Sequence, residues 1–85
     1  MITVWLWDTD GPRRRKGTSA TKEDAKAAVE EELGGGATVG TVELAWLILG
    51  PHISYYEMTG YAATATGKPG SVVWEDFEVV TRRAS

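Results

Sequence analysis

The residues of this chain best suited to bind a charged ligand are four consecutive cations, Arg13 to Lys16, which follow an Asp-Gly pair. Guanidinium and ammonium groups bind phosphate oxygens, and arginine also reads guanine in the DNA major groove. Tryptophan rings just before the cations can stack on unpaired bases or anchor a protein partner. The sequence therefore predicts a nucleic-acid-binding or partner-binding surface made of Arg13, Arg14, Arg15, Lys16, Trp5 and Trp7.

The other polar residues form no recognised catalytic or metal-binding pattern. The chain has no cysteine and a single histidine, His52, which excludes thiolate metal sites and cysteine nucleophiles. Asp8, Asp10 and Glu57 supply carboxylates, but the two aspartates are typical turn residues. The glycine run 34–36 follows a predicted helix, so its amides are not aimed as in a phosphate loop. We therefore predict a non-enzymatic protein without a cofactor or a metal.

The charges are unevenly distributed along the 85 residues, which are enough for one domain. The net charge of −3 argues against a nucleic-acid binder when the chain is taken as a whole. Residues 1–22, however, hold five cations against two acids, whereas residues 23–33 hold five acids against one cation. This pattern predicts a polarised molecule in which a basic hairpin lies beside an acidic helix.

The sequence predicts a soluble cytoplasmic protein that does not contact a membrane. The longest apolar runs, such as Leu44 to Leu49, are far shorter than the ~20 residues that cross a bilayer. The N-terminus has neither a basic segment nor a cleavage site for export. The oligomeric state is left open.

A predicted β-hairpin positions the cations. Ile2 to Trp7 is rich in β-branched and aromatic residues, which is typical of a strand. Asp8 to Gly11 is typical of a turn, and we predict a positive φ at Gly11 or at a neighbouring residue. Arg13 to Lys16 is then a short return strand whose alternate cations point to opposite faces. Because cations on an edge strand oppose pairing with other chains, edge protection is an alternative role for this cluster.

A predicted helix over residues 21–33 is the element that can cover Trp5 and Trp7. Thr21 is a typical N-cap residue, and Asp24 lies three residues later as a capping-box partner. The run Gly34-Gly35-Gly36 ends the helix. If the helix covers the tryptophans they belong to the core, and otherwise they meet a partner. The apolar stripe expected to face the sheet comprises Ala25, Ala28, Val29 and Leu33.

Three strands are predicted in the C-terminal half. Residues 41–49 and 54–62 have strand composition, and Gly60 predicts a bulge or bend in the second. Residues 64–70 are predicted to be a loop with Pro69-Gly70 at the centre of a type II turn. The last strand begins at residue 71, with a possible break at Asp76. We also predict that Trp46 is buried beneath Val29 and Leu33.

The elements together predict a small α+β domain with the order β-β-α-β-β-β. Strands joined by short turns pair antiparallel, and the single helix packs on one face of the sheet. The predicted organisation of the single domain, residues 1–85, is a basic hairpin (1–17), a helix (21–33), three antiparallel strands (39–81) and a frayed tail (82–85).

Residues 5–33 resemble the arm-type DNA-binding domain at the N-terminus of phage-type tyrosine integrases. The shared pattern is an aromatic strand, an Asp-Gly turn, a basic return strand and a helix that begins Thr-Lys-x-x-Ala-x-Ala. It appears here as Trp5 to Trp7, Asp10-Gly11, Arg13 to Gly17 and Thr21 to Ala27. The resemblance covers about a third of the chain and implies that the sheet enters the major groove of DNA.

The whole chain is also similar to small uncharacterised proteins of actinobacteria and their mobile elements. The Trp-Leu-Trp-Asp-x-Asp opening and the Val73-Trp74-Glu75 segment carry this resemblance, which implies no known activity. We favour a small binding module that contacts duplex DNA through the basic hairpin. The alternative is a protein-interaction or inhibitor module that uses exposed Trp and Tyr side chains and the charge-polarised surface.

Overall fold

The α+β fold with the order β-β-α-β-β-β, predicted from the sequence, is confirmed. The computed structural model describes residues 2–68 and 70–78, and the account that follows concerns those residues. All neighbouring strands are antiparallel, in the order β2-β1-β3-β4-β5, and the helix packs on one face of the sheet. The elements are β1 Ile2–Asp10, β2 Arg15–Ser19, α1 Lys22–Gly34, β3 Val39–Leu49, β4 Ser54–Thr66 and β5 Val73–Glu78.

The first hairpin is longer than predicted and its loop is different. Strand β1 continues to Asp10, and its residues 5–9 pair with residues 15–19 of β2. The prediction of a positive φ at or beside Gly11 is wrong, because no such φ occurs there. The Gly11 amide donates to Asp10 Oδ1 over 2.9 Å, and a Cβ at Gly11 would lie 2.9 Å from the Ala37 Cα. Position 11 therefore favours glycine because a side chain there would be too close to the backbone of Ala37.

The helix begins and ends where local signals place it. Thr21 has extended backbone angles, and its Oγ1 accepts a hydrogen bond of 3.1 Å from the Asp24 amide, so the N-cap prediction is confirmed. Gly35 caps the C-terminus by donating its amide to the carbonyls of Glu31 and Glu32. Three members of the predicted stripe are buried, namely Ala25, Val29 and Leu33, and Ala28 is partly buried.

Small residues on the sheet let the helix approach closely. A Cβ at Gly40 would collide with a methyl group of Val29, which shows that β3 leaves no room there for a side chain. Burial of such apolar surface stabilises the fold by about 25 cal/mol per Å². The core cluster is Ala25, Val29, Leu33, Val42 and Ala65, with Trp5, Trp7, Ala37, Val72 and Trp74 packed against it.

The prediction that Trp46 lies beneath Val29 and Leu33 is wrong. Trp46 is only partly buried and does not belong to the core cluster. On β3 it lies four residues beyond Val42, a displacement of about 13 Å along a strand. The helix covers the half of β3 that pairs with the end of β1, where Asp10 opposes Val39. Strand β3 therefore extends past the helix and carries Trp46 with it.

Strand β4 contains the bulge predicted at Gly60. Its residues 59–61 oppose only Leu44 of β3, and Gly60 has a φ of +95°. The Thr59 hydroxyl donates to the Leu44 carbonyl over 3.0 Å, which fixes the irregularity. Beyond the bulge β4 continues to Thr66, so the predicted loop at residues 64–66 is wrong. Pairing with both neighbouring strands holds these residues extended.

The turn before β5 has the features of the predicted type II turn. The Ser71 amide donates to the Lys68 carbonyl over 2.8 Å, and Gly70 has a φ of +85°. Strand β5 passes through Asp76 without the predicted break. Pro69 lies outside the described residues, as do Val79, Val80 and the predicted tail at residues 82–85.

Candidate nucleic-acid interface

The four predicted cations all lie at the hairpin tip, defined here as residues 11–16. Arg13 and Arg14 belong to the loop, and Arg15 and Lys16 begin β2, which is an edge strand. All four residues are exposed. The buried Thr9 hydroxyl donates to the Arg15 carbonyl over 3.2 Å. This hydrogen bond joins β1 to β2 next to the hairpin tip.

Arg14 is paired with Asp8. Its Nη2 lies 2.7 Å from Asp8 Oδ2, and its Nε donates to Oδ1 over 3.3 Å. The hydrogen bond from Arg14 lowers the pKa of Asp8 below its ordinary value of 3.8, and the charges of Arg14 and Lys16 act in the same direction. The side chains are 71% and 39% exposed, so solvent screens the pair and its net contribution to stability is small.

The cations are divided between the two faces of the sheet. Lys16 is directly opposite Asp8, on the face away from the helix, whereas Arg15 is opposite Thr9, on the helix face. Arg15 Nε lies 3.4 Å from a carboxylate oxygen of Glu32.

The predicted return strand at residues 13–16 is wrong for Arg13 and Arg14, which lie in the loop because β1 continues to Asp10. The predicted alternation holds for Arg15 and Lys16. Arg14 is grouped with Lys16 by its ion pair with Asp8.

Trp5 and Trp7 belong to the core. Both rings pack against the cluster under the helix, and Trp5 meets Tyr61 edge to face with ring centroids 5.6 Å apart. A Cβ at Gly17 would lie 2.7 Å from the Trp7 ring, so glycine makes room for that ring on β2. Both rings are thus partly buried on the helix face as part of the core, and Trp7 also lines a cleft that Lys16 borders.

A cleft of about 500 Å³ lies on the open face of the sheet, the face opposite the helix, and extends from Lys16 at the hairpin tip to Tyr56 and Met58 on β4. Leu6, Tyr56 and Met58 form an apolar wall, and Lys16 and Glu43 border the cleft. This volume is sufficient for a large side chain or a small ligand. Sequence reasoning missed this cleft because its residues come from four strands whose registers only the folded sheet defines.

A second exposed surface, named the apolar end, lies at the opposite end of the sheet from the hairpin tip. Its signal in the sequence is the run from Leu44 to Tyr56, which contains no Asp, Glu, Lys or Arg. The sequence analysis treated this run only as strand and turn. Its exposed apolar side chains are Ile2, Leu49, Ile53, Tyr55, Tyr56 and Met58.

Within residues 2–68 and 70–78, no group of three or more His, Asp or Glu side chains is arranged to hold a metal ion. The helix in this described part of the chain is too short to span a membrane. A scan of protein-family models and searches of curated proteins and of solved structures found no match to this chain.

Proposed function

We propose that this chain is a small non-enzymatic binding module that contacts the phosphates of duplex DNA through its hairpin tip. The observation that carries the proposal is the exposure of four consecutive cations at one corner of the sheet. Phosphate neutralisation with release of counterions drives non-specific DNA binding. The resemblance of residues 5–33 to integrase arm-type domains supports the same class of ligand.

The charges near the tip favour approach from its open face. Glu32 and the acidic helix lie on the other face, where they would repel phosphates. Arg14 and Lys16 flank Asp8 on the open face, and Arg13 has no ion pair within the described residues. An exposed ion pair contributes only about 0–1 kcal/mol, so a phosphate can replace Asp8 as the partner of Arg14.

The proposal is tested by a fluorescence-anisotropy titration of random duplex DNA at two salt concentrations. We expect a Kd tighter than ~100 µM that weakens with salt. The double variant Arg14→Ala with Lys16→Ala should lower the salt slope by about two, since about one unit is lost per phosphate contact. The matched variant Arg13→Ala with Arg15→Ala should lower it less, because Arg15 lies on the helix face, where Glu32 and the acidic helix repel phosphates. Absence of salt-dependent binding by the unaltered chain contradicts the proposal.

Association with a protein is the second candidate, favoured by the exposure of Tyr55 and Tyr56, which are 52% and 48% accessible. Tyrosine is enriched among residues that dominate protein–protein binding energy. These rings lie at the apolar end, so the alanine variants of the hairpin tip should leave such an association unchanged. Protein binding that the alanine variants of the hairpin tip leave unchanged, together with no DNA binding, would favour association with a protein.

A further inference from the structure

We propose that the apolar end binds a second copy of this chain and makes it a homodimer. The inference is independent of DNA binding by the hairpin tip, because the two surfaces lie at opposite ends of β1. Asp10 pairs with Val39 at one end and Ile2 pairs with Leu47 at the other. Eight residues of strand separate these ends by about 27 Å.

The backbone of the apolar end is held in a fixed arrangement by the β3–β4 hairpin. Ile48 pairs with Tyr55 and Leu49 with Ser54, and the Gly50 amide donates to the Ile53 carbonyl over 3.0 Å. A side chain at Gly50 would collide with that carbonyl oxygen. Since the backbone is ordered before binding, association does not have to order it, and this favours affinity.

The composition of the apolar end fits a symmetric interface between identical chains. A two-fold interface brings the same patch of both copies together, so like charges within it would repel. The run from Leu44 to Tyr56 has no charged side chain of the Asp, Glu, Lys or Arg type. Homodimer interfaces are also more apolar than the rest of a protein surface.

The same composition argues against a lipid membrane as the binding partner of the apolar end. Segments that lie on membranes combine apolar side chains with lysine and arginine, which attract anionic headgroups. Among the described residues that form the apolar end there is no lysine or arginine, and the titratable residues next to them in the sequence are His52 and Glu57. Four consecutive cations, Arg13 to Lys16, lie at the hairpin tip instead.

The exposed area is sufficient for a dimer if both copies contribute it. The six side chains are between 48% and 72% accessible. Tyr55 and Tyr56 are consecutive on β4 and point to opposite faces, and Tyr55 lies on the helix face. The other five side chains, at roughly 100 Å² each, offer about 500 Å² per copy, and two copies bury about 1,000 Å², which is the size of a weak interface. We therefore expect a dimer that dissociates on dilution.

Sedimentation equilibrium of the whole chain tests the proposal. Between about 5 and about 200 µM the mean mass should rise from 9.2 kDa toward twice that value, as expected for a Kd in this range. Ile53→Asp should weaken the dimer by at least about tenfold, because association would bury an unpaired charge. Leu49→Asp, on the other side of the turn, should also weaken the dimer.

Val73→Asp is the matched control, because Val73 is 58% exposed but lies on β5, opposite Thr66 and away from the apolar end. It should leave the dimer intact, and far-ultraviolet circular dichroism should show that all three variants are folded. A chain that remains monomeric throughout the range overturns the proposal. So does a dimer that Val73→Asp disrupts while folded Ile53→Asp and Leu49→Asp do not. Binding to phosphatidylcholine–phosphatidylserine vesicles without self-association also overturns it and assigns the surface to lipid.

Discussion

Asp8 is the residue that controls how much positive charge the hairpin tip presents. It holds Arg14 through two hydrogen bonds and lies directly opposite Lys16. The sequence predicts all four cations at one site and places Asp8 in a turn. It could not assign Asp8 to Arg14, because that contact depends on β1 continuing as a strand through Asp10. Because β1 has three more residues than predicted, Asp8 is an ion-pair partner and not a turn residue.

The ion pair predicts a pH-dependent contribution to stability. Because the folded-state pKa of Asp8 is lowered, the pair stabilises the fold fully above the ordinary value of 3.8. This contribution is lost as the pH falls through the lowered folded-state pKa. Asp8→Asn should therefore reduce the free energy of unfolding at pH 7 by less than about 1 kcal/mol, since the side chain is largely exposed. The reduction should shrink on acidification.

Urea unfolding followed by tryptophan fluorescence measures this difference at pH 7 and again below pH 3.8. Thr18→Ala is a suitable control, because Thr18 is an exposed neutral residue of the neighbouring strand β2. A difference between the unaltered chain and Asp8→Asn that grows as the pH falls would contradict the assignment.

The helix and β3 pack closely against each other at Gly40. Gly40 lies beneath Val29, and its missing side chain sets the distance between the helix and the sheet. The sequence predicted the helix well, because the Thr21 cap and the glycine run are local signals. Strand limits were predicted less well. The segments 17–19 and 64–66 have loop-like composition, but pairing with longer neighbours holds them extended.

Gly40→Ala should destabilise the fold by about 1–3 kcal/mol, the usual cost of adding a methyl group to a packed core. Gly35→Ala is the matched control, because a Cβ there would meet the Glu32 carbonyl at an ordinary 3.5 Å. Its effect should be within about 0.5 kcal/mol, as for a surface substitution. Thermal unfolding of both variants gives the comparison. Equal losses of stability would show that the Gly40–Val29 contact does not limit the helix position.

The described part of the molecule carries four consecutive cations at one end of β1 and a group of exposed apolar side chains at the other. The sequence analysis predicted the charge asymmetry, because runs of like charge are visible without a fold. It did not predict the apolar end, because a run such as Leu44 to Leu49 is equally typical of a buried central strand. Only the position of the helix shows which half of the sheet it leaves uncovered.

DNA binding by Asp8→Asn tests the central claim most directly. The change removes a negative charge from the hairpin tip and releases Arg14 from its partner. The variant should therefore bind random duplex DNA about 3- to 10-fold more tightly than the unaltered chain at the same salt concentration, with a salt slope larger by about one. Unfolding of the variant would not produce tighter DNA binding at the hairpin tip. Unchanged or weaker binding by the folded variant would contradict the proposal that Arg14 and its neighbours contact phosphates.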